Sequence, residues 1–236
     1  MSILSRFRSF VYSCIGLGRS KAFSTVAQMD AFEKVLAGNK AYAQHTAKKD
    51  PELMKSLAAG QSPEILWIGC ADSRIPETTI CQCKPGELFV HRNIANVLTP
   101  GDANSSSVIE YSVGVLKVKR IIVCGHTKCG GANAAMGDGD LGDTLNSWLA
   151  PVRELRRKHI DELSKLPSED AKANRLAELN VEHSLEILRK NPTVQKAIRE
   201  RDLKLHGMIY DIPAAELRSM DIPEPKQLWS PPTLHR

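Results

Sequence analysis

The chain has 236 residues, of which 42% are apolar and 25% charged, as expected for one globular domain with a short appendage. Its net charge of +5 comes mostly from the first 29 residues, which contain four basic residues and no acidic ones. The rest is nearly neutral, so we expect neither a nucleic-acid-binding surface nor a membrane-surface role. No stretch approaches the roughly 18 consecutive apolar residues that a membrane span requires.

Residues 1–28 have the composition of a mitochondrial transit peptide, since they are rich in arginine and serine and contain no acid. As a helix, this segment would place its apolar side chains on one face, namely Ile3, Leu4, Phe7, Phe10 and Val11. We therefore expect import into the mitochondrial matrix and removal of the leader near residues 20–28. A disordered or partner-binding tail is the alternative.

The first half of the folded part predicts helices and strands in alternation. Two helices are expected over residues 30–48 and 51–59, separated by an Asp-Pro boundary. The apolar run 64–70 is typical of a buried parallel strand. A short helix at 77–81 and a third strand at 88–91 complete this half.

The second half continues the alternation. Apolar residues recur at helical spacing between residues 108 and 116, with Asn104 or Ser105 as the candidate N-cap. A second buried strand is expected at 121–126, followed by one helical region from about 141 to 190. A shorter helix and a last strand over 203–211 follow. The alternation predicts an α/β fold, with a central, largely parallel sheet flanked by helices.

Two cysteines and a histidine stand where such a sheet binds ligands. Cys70 and His126 each end a predicted strand, and Cys129 follows His126 by one turn. Two thiolates and an imidazole suit zinc, and three protein ligands leave a fourth position for water. Asp72 and Arg74 supply charged groups beside the first ligand. The sequence therefore predicts a catalytic zinc site.

The rival interpretation is an enzyme with a nucleophilic cysteine and His126 as its base. We consider it weaker because two cysteines, rather than one, converge on the histidine. The remaining cysteines have simpler explanations. Cys124 is expected to pack in the core, as are Cys81 and Cys83, and Cys14 belongs to the leader.

The pattern Cys-Ala-Asp-Ser-Arg followed by His-x-x-Cys-Gly-Gly resembles the β-class carbonic anhydrases. The resemblance extends over roughly residues 30–215 and includes three further stretches in the family's order, at 86–96, 110–113 and 206–211. It implies a catalytic domain over residues 29–220, followed by a tail over 221–236. The implied reaction is the reversible hydration of carbon dioxide to bicarbonate and a proton, through attack of a zinc-bound hydroxide on CO2.

The resemblance also implies roles for individual residues. One zinc ion per subunit would be held by Cys70, His126 and Cys129. Asp72 and Arg74 match the catalytic pair, in which the arginine holds the carboxylate so that it accepts a hydrogen bond from the zinc-bound water. Contacts to substrate are implied at four positions, Gln61, Phe89, Tyr111 and Gly130. Core packing is the alternative role of the two aromatic residues.

Some members of this family switch to a closed form in which the aspartate, here Asp72, becomes the fourth zinc ligand. Those members bind bicarbonate in a separate pocket, whose residues match Trp67, Arg92 and Tyr210. Family members also form homodimers or tetramers built as dimers of dimers, in which the N-terminal helices pack on a partner subunit.

Three functional questions stay open at this point. His91 and His206 are the candidates for a proton shuttle, and each also has a structural explanation in its strand. The substrate is either CO2 or an analogue such as CS2 or COS. The alternative from another class is a non-catalytic zinc protein in which Asp72 permanently fills the fourth position.

Overall fold

The computed structural model describes residues 29–222. The predicted leader and residues 223–236 of the predicted tail lie outside this range. The described chain divides into two units after Gln61, which ends the first. No helix within residues 29–222 has the length and apolar character needed to cross a membrane.

The first unit consists of two helices, α1 (Ala31–Lys49) and α2 (Pro51–Ala59), close to the predicted bounds. Asp30 caps α1 because its carboxylate accepts the amide hydrogen of Glu33, while the Glu33 carboxylate accepts that of Asp30. The first helix exposes a row of large apolar side chains to solvent, namely Phe32, Val35, Leu36 and Tyr42.

The second unit contains the sheet. Its elements, in chain order, are β1 (Ile65–Cys70), α3 (Glu77–Ile80), β2 (Leu88–Asn93), α4 (Ala103–Ile109), β3 (Arg120–His126), α5 (Gly130–Ala135), α6 (Asp143–Lys158), α7 (Ile160–Leu163), α8 (Glu169–Lys190), α9 (Pro192–Arg201), β4 (Lys204–Asp211) and β5 (Glu216–Ser219). The strands lie in the order β2-β1-β3-β4-β5. The first four are parallel, and only β5 runs antiparallel to its neighbour. The predicted fold class is therefore confirmed.

Side chains that alternate along the central strands supply two apolar clusters, because successive residues of a strand point to opposite faces. Trp67 and Ile122 belong to one cluster, which also contains Cys70 and Cys129. Leu66 and Ile68 belong to the other, together with buried side chains from the second half of α8 and from α9. Two of the predicted metal ligands, Cys70 and Cys129, thus pack in the same cluster as Trp67.

Three predicted elements differ from the structure. The region 141–190 is not one helix but three, since Pro167 interrupts it and Ser168 caps α8 by accepting the amide hydrogen of Ala171. The N-cap of α4 is Asp102, whose carboxylate accepts the amide hydrogens of the two residues predicted to cap, Asn104 and Ser105. The last strand is followed by β5, whose short exposed sequence carries no apolar alternation.

The predicted amphipathic helix is also less regular than expected. It ends as an α-helix at Ile109 and continues as a π-helix over Glu110–Val115. The wider turn follows from the hydrogen bonds, because the amide of Leu116 donates to the carbonyl of Tyr111, five residues earlier.

The cysteines outside the predicted zinc site agree with core or surface packing. None of the five cysteines within residues 29–222 forms a disulfide. Cys124 is buried in mid-strand, where its thiol donates to the carbonyl of Gly125 and burial raises its pKa to about 12. Burial also raises the pKa of Cys81 and Cys83, which are half-buried beside α3. These thiols are neutral at physiological pH.

Candidate metal centre

The parallel sheet brings the three predicted ligands together. Neighbouring β1 and β3 end at the same edge, with Gly69 opposite Cys124, so Cys70 and His126 lie close to each other. Cys129 joins them after one turn of chain. The two sulfur atoms and an imidazole nitrogen all lie within 4.8 Å of one another, and all three residues are buried. They form the one such cluster of potential metal ligands among the described residues.

The two thiols interact with each other. A hydrogen bond from Cys129, assisted by the amide of Asp72, outweighs burial and lowers the pKa of Cys70 to about 4. The same pairing, together with burial, raises the pKa of Cys129. The amides of Gly131 and Ala132 oppose that rise by hydrogen bonding to its sulfur. Polar groups that favour a thiolate therefore surround both sulfur atoms.

The imidazole is held in the tautomer that a metal requires. His126 Nδ1 lies 2.9 Å from the carbonyl oxygen of Thr127. A carbonyl oxygen only accepts, so Nδ1 carries the hydrogen and Nε2 presents a lone pair. That Nε2 is buried and has no hydrogen-bond partner. A buried acceptor without a partner is costly in an apolar protein interior, and a soft divalent cation among two sulfurs would satisfy it.

Asp72 and Arg74 form the predicted pair beside this cluster. Arg74 Nε donates to Asp72 Oδ1 at 2.9 Å and Nη2 donates to Oδ2 at 2.7 Å, while the Arg74 amide also donates to Oδ1. This two-point contact holds the pKa of Asp72 well below its usual range. Asp72 Oδ2 lies 3.9 Å from His126 Nε2. An ionised carboxylate therefore stands next to the unpartnered nitrogen.

A close backbone approach fixes the start of α5 beside the ligands. A Cβ atom on Gly131 would come within 2.8 Å of the Cβ of Ala95, so glycine is required at this position. Ala95 itself has a left-handed backbone, with φ of 58°, and its carbonyl accepts a hydrogen bond from Asn180. The second glycine of the Cys-Gly-Gly sequence thus serves packing next to Cys129.

Three of the four predicted substrate contacts, Phe89, Tyr111 and Gly130, belong to the same unit as the candidate ligands. Gln61 belongs to the first unit. Phe89 and Tyr111 contact each other, with ring centroids 5.8 Å apart, and Phe89 packs against the apolar cluster that does not contain the ligands. Gly130 begins α5 directly after Cys129, so its amide is one of the first helical N–H groups. Their roles in substrate binding stay predictions.

The residues of the predicted bicarbonate pocket lie near Cys70, the first of the predicted metal ligands. Trp67 and Tyr210 are buried in the same cluster as Cys70. Arg92, from β2, donates from Nε to the carbonyl of Cys70 at 2.9 Å and from Nη2 to that of Asp72 at 2.7 Å. Its guanidinium also lies 3.6 Å from Glu77, a buried acid that the sequence did not single out.

The two histidines considered for proton transfer are held by neighbours. His91 is buried, which lowers its pKa. Its Nε2 lies 3.0 Å from Nδ2 of the Asn93 side chain. His206 lies on β4 beside Arg120, and burial lowers its pKa as well. Both favour the neutral form, and neither is assigned a role in proton transfer.

Known proteins resemble this chain closely. Residues 65–217 match the family model described as carbonic anhydrase. The carbonic anhydrase of Emericella nidulans is 44% identical over 194 residues, which cover 82% of this chain and 85% of that protein. The crystal structure of the β-carbonic anhydrase CafA of Aspergillus fumigatus has a TM-score of 0.81 and 51% identity, covering 84% of this chain and 94% of that one.

A structure of two tetrameric β-carbonic anhydrases from Sordaria macrospora gives the same TM-score of 0.81 at 46% identity, covering 82% of this chain and 98% of that one. The family model includes the four parallel strands and all three ligand positions. The chain belongs to the β-class carbonic anhydrase family.

Proposed function

We propose that this protein catalyses the reversible hydration of CO2 to bicarbonate and a proton. The observation that carries the proposal is the buried Cys70, His126 and Cys129 cluster, with an unpartnered imidazole nitrogen beside the Asp72–Arg74 pair. The relatives described above are carbonic anhydrases, which favours CO2 over analogues such as CS2 or COS. Stopped-flow CO2 hydration, measured together with zinc content, tests the proposal directly.

We propose zinc as the metal that these ligands hold. Two sulfurs and one imidazole nitrogen are the donors that zinc prefers, and the surrounding amides and the fixed tautomer suit its binding. When bound, zinc lowers the pKa of a water molecule towards neutrality and so supplies hydroxide for attack on CO2. One ion per chain would satisfy the three ligands.

Asp72 is placed to orient the reacting water. Its ionised carboxylate accepts hydrogen bonds only, so it would hold the O–H of that water and leave a lone pair directed at the substrate carbon. Arg74 keeps the carboxylate in place through its two-point contact and keeps it charged. The contact between Asp72 and Arg74 is the one expected of the open form.

The apolar surroundings strengthen these interactions. Cys70 and Cys129 pack in a cluster with Ile75 and Ala95, and all four are buried. Because electrostatic attraction grows as water is excluded, hydrogen bonds to a developing bicarbonate are worth more here than at the protein surface. CO2 is itself apolar and loses little when it leaves water for such a site.

We further propose that the protein is a homodimer or a tetramer formed from two dimers. The apolar row on α1 supports this, since Phe32, Val35 and Leu36 are all more than half exposed. The relatives in Sordaria macrospora are described as tetrameric. Packing of α1 on a partner subunit would cover the row, and light scattering in solution distinguishes the two assemblies.

Regulation by bicarbonate is proposed at Trp67, Arg92 and Tyr210. Arg92 donates hydrogen bonds to the carbonyls of Cys70 and Asp72, at the end of β1 and just after it. A bicarbonate ion that paired with Arg92 would compete with both carbonyls. A shift of the Asp72 backbone would then allow its carboxylate to leave Arg74 and serve as the fourth metal ligand, which is the closed form that the family resemblance implies.

Localisation in the mitochondrial matrix is proposed from composition. The support is the basic, serine-rich and acid-free character of residues 1–28. We expect the protein recovered from cells to begin between residues 20 and 29, as read by N-terminal sequencing of the mitochondrial fraction. An intact Met1 in that fraction, or recovery only from other compartments, would contradict this expectation.

Replacing Cys129 by serine should remove zinc and CO2 hydration together, because an alcohol is a far weaker ligand than a thiolate. Zinc content and stopped-flow rates measure the two effects. Cys83→Ser is the matched control, since Cys83 is half-buried outside the cluster and its loss should leave one zinc per chain. Full zinc occupancy in Cys129→Ser would refute the ligand assignment.

Replacing Asp72 by asparagine should lower kcat about 100-fold while zinc stays bound. The amide has a similar shape but carries no charge, and its nitrogen would face Arg74 or the water in place of an acceptor. Asp161→Asn, on exposed α7, serves as the control. An unchanged kcat would show that Asp72 does not take part in the reaction.

Bicarbonate should lower the initial rate of CO2 hydration at pH 7 if Arg92 binds it. Tyr210→Phe removes only a hydroxyl group from the proposed pocket and should weaken this inhibition several-fold. Rates from pH 7 to pH 9, with and without added bicarbonate, provide the measurement. A rate that depends on neither pH nor bicarbonate would argue against the closed form.

A further inference from the structure

The turn between His126 and Cys129 has an unfavourable backbone conformation. Lys128 has φ of 55°, in the left-handed region that side chains with a Cβ rarely occupy. The lysine side chain is exposed, so packing of that side chain does not explain the conformation. Contacts made by the backbone must therefore hold the turn.

Two separate anchors hold this turn. At Thr127, the amide donates to the carbonyl of Tyr210, and the hydroxyl both donates to Asp211 and accepts from the amide of Ile212. At Lys128, the amide donates to the side-chain oxygen of Asn174 at 2.8 Å. The first anchor comes from the end of β4. The second comes from α8, 46 residues further along the chain.

The second anchor leads directly to the catalytic pair. The carbonyl of Lys128 accepts a hydrogen bond from Arg74 Nη2 at 3.1 Å. The same Nη2 donates to Asp72 Oδ2 at 2.7 Å. A change in the φ and ψ angles of Lys128 would therefore move an acceptor of Arg74 and shift the backbone between the two proposed metal ligands.

We propose that Asn174 is a positioning residue for the metal centre. Through the amide of Lys128, it holds the left-handed turn that directs His126 and Cys129 to one point, and it fixes the carbonyl that orients Arg74 against Asp72. The inference rests on the proposed zinc chemistry for its effect on turnover. Its effect on the backbone is independent of that chemistry.

Asparagine suits this task because its side chain is short and carries an acceptor. Asn174 lies in the second turn of α8, close enough to the helix start for a short side chain to reach the loop. Aspartate would keep an acceptor at the same position, whereas alanine would leave the Lys128 amide without it. Comparing these two variants therefore distinguishes loss of the hydrogen bond from any change that depends only on the volume of the side chain.

The test uses the full-length protein with Asn174→Ala and Asn174→Asp. We expect the alanine variant to bind zinc 10- to 100-fold more weakly in competition with a chelator and to lose a similar factor in kcat. The aspartate variant should stay within about 3-fold of the native protein on both measures. In metal-free protein, hydrogen–deuterium exchange at the Lys128 amide should accelerate at least 10-fold in the alanine variant alone.

Replacement of Lys128 provides a second test. Glycine occupies the left-handed region without steric cost, so Lys128→Gly should reduce the effect of Asn174→Ala to under about 3-fold. Lys128→Ala is the matched control, since it removes the side chain but keeps the unfavourable conformation. In that background, Asn174→Ala should retain its full effect.

Asn191→Ala controls for general loss of stability, because Asn191 caps α9 and does not contact the turn. It should lower the unfolding midpoint without changing zinc affinity. The inference is overturned if the Lys128 amide hydrogen exchanges at the native rate in the Asn174→Ala variant. It is also overturned if the aspartate variant loses as much zinc affinity and kcat as the alanine variant. Absence of CO2 hydration in the native protein, with the exchange effect intact, would reject the proposed function and not the positioning role.

Discussion

Three donor atoms meet inside this protein although nothing in their own chemistry draws them together. Two buried sulfurs and a bare imidazole nitrogen would be a costly arrangement in an apolar interior without a cation. The rest of the fold supplies the free energy that holds these atoms together. The strands β1 and β3 are adjacent and parallel, and the hydrogen bonds between them fix the positions of their ends. The ionised carboxylate of Asp72 lies at the same edge, 3.9 Å from the imidazole nitrogen.

Much of this arrangement was predictable from the sequence. The apolar runs that became β1 and β3 are short, unbroken and bounded by polar residues, which is the pattern of a strand buried on both faces. Residues at the carboxyl ends of such strands share one edge of the sheet, so the sequence alone predicts that Cys70 and His126 lie close together. The positions of Asp72 and Arg74 near the site were predictable as well, because they follow Cys70 by only two and four residues.

The parts that were not predictable depend on contacts distant in sequence. Phe89 lies two residues before His91 in a strand whose pattern does not reveal which face it presents, and it packs away from the ligand cluster. Asn174 is one polar residue in a long helix, and no local signal distinguishes it from its neighbours. The strand β5 pairs with β4 through its backbone, and its four side chains are exposed. Its sequence therefore has no apolar alternation that would predict a strand.

Two polar side chains, Arg92 and Asn174, form hydrogen bonds with the backbone next to the candidate metal ligands. Arg92 supports the carbonyls of Cys70 and Asp72, and Asn174 supports the amide of Lys128. The first acts on the loop after β1 and the second on the loop after β3, so each ligand loop has its own support from another element. Arg74 connects the two loops, because it donates both to Asp72 and to the carbonyl of Lys128. A change at either support would thus reach the Arg74 guanidinium, which couples the backbone around the candidate metal ligands to the orientation of the Asp72 carboxylate.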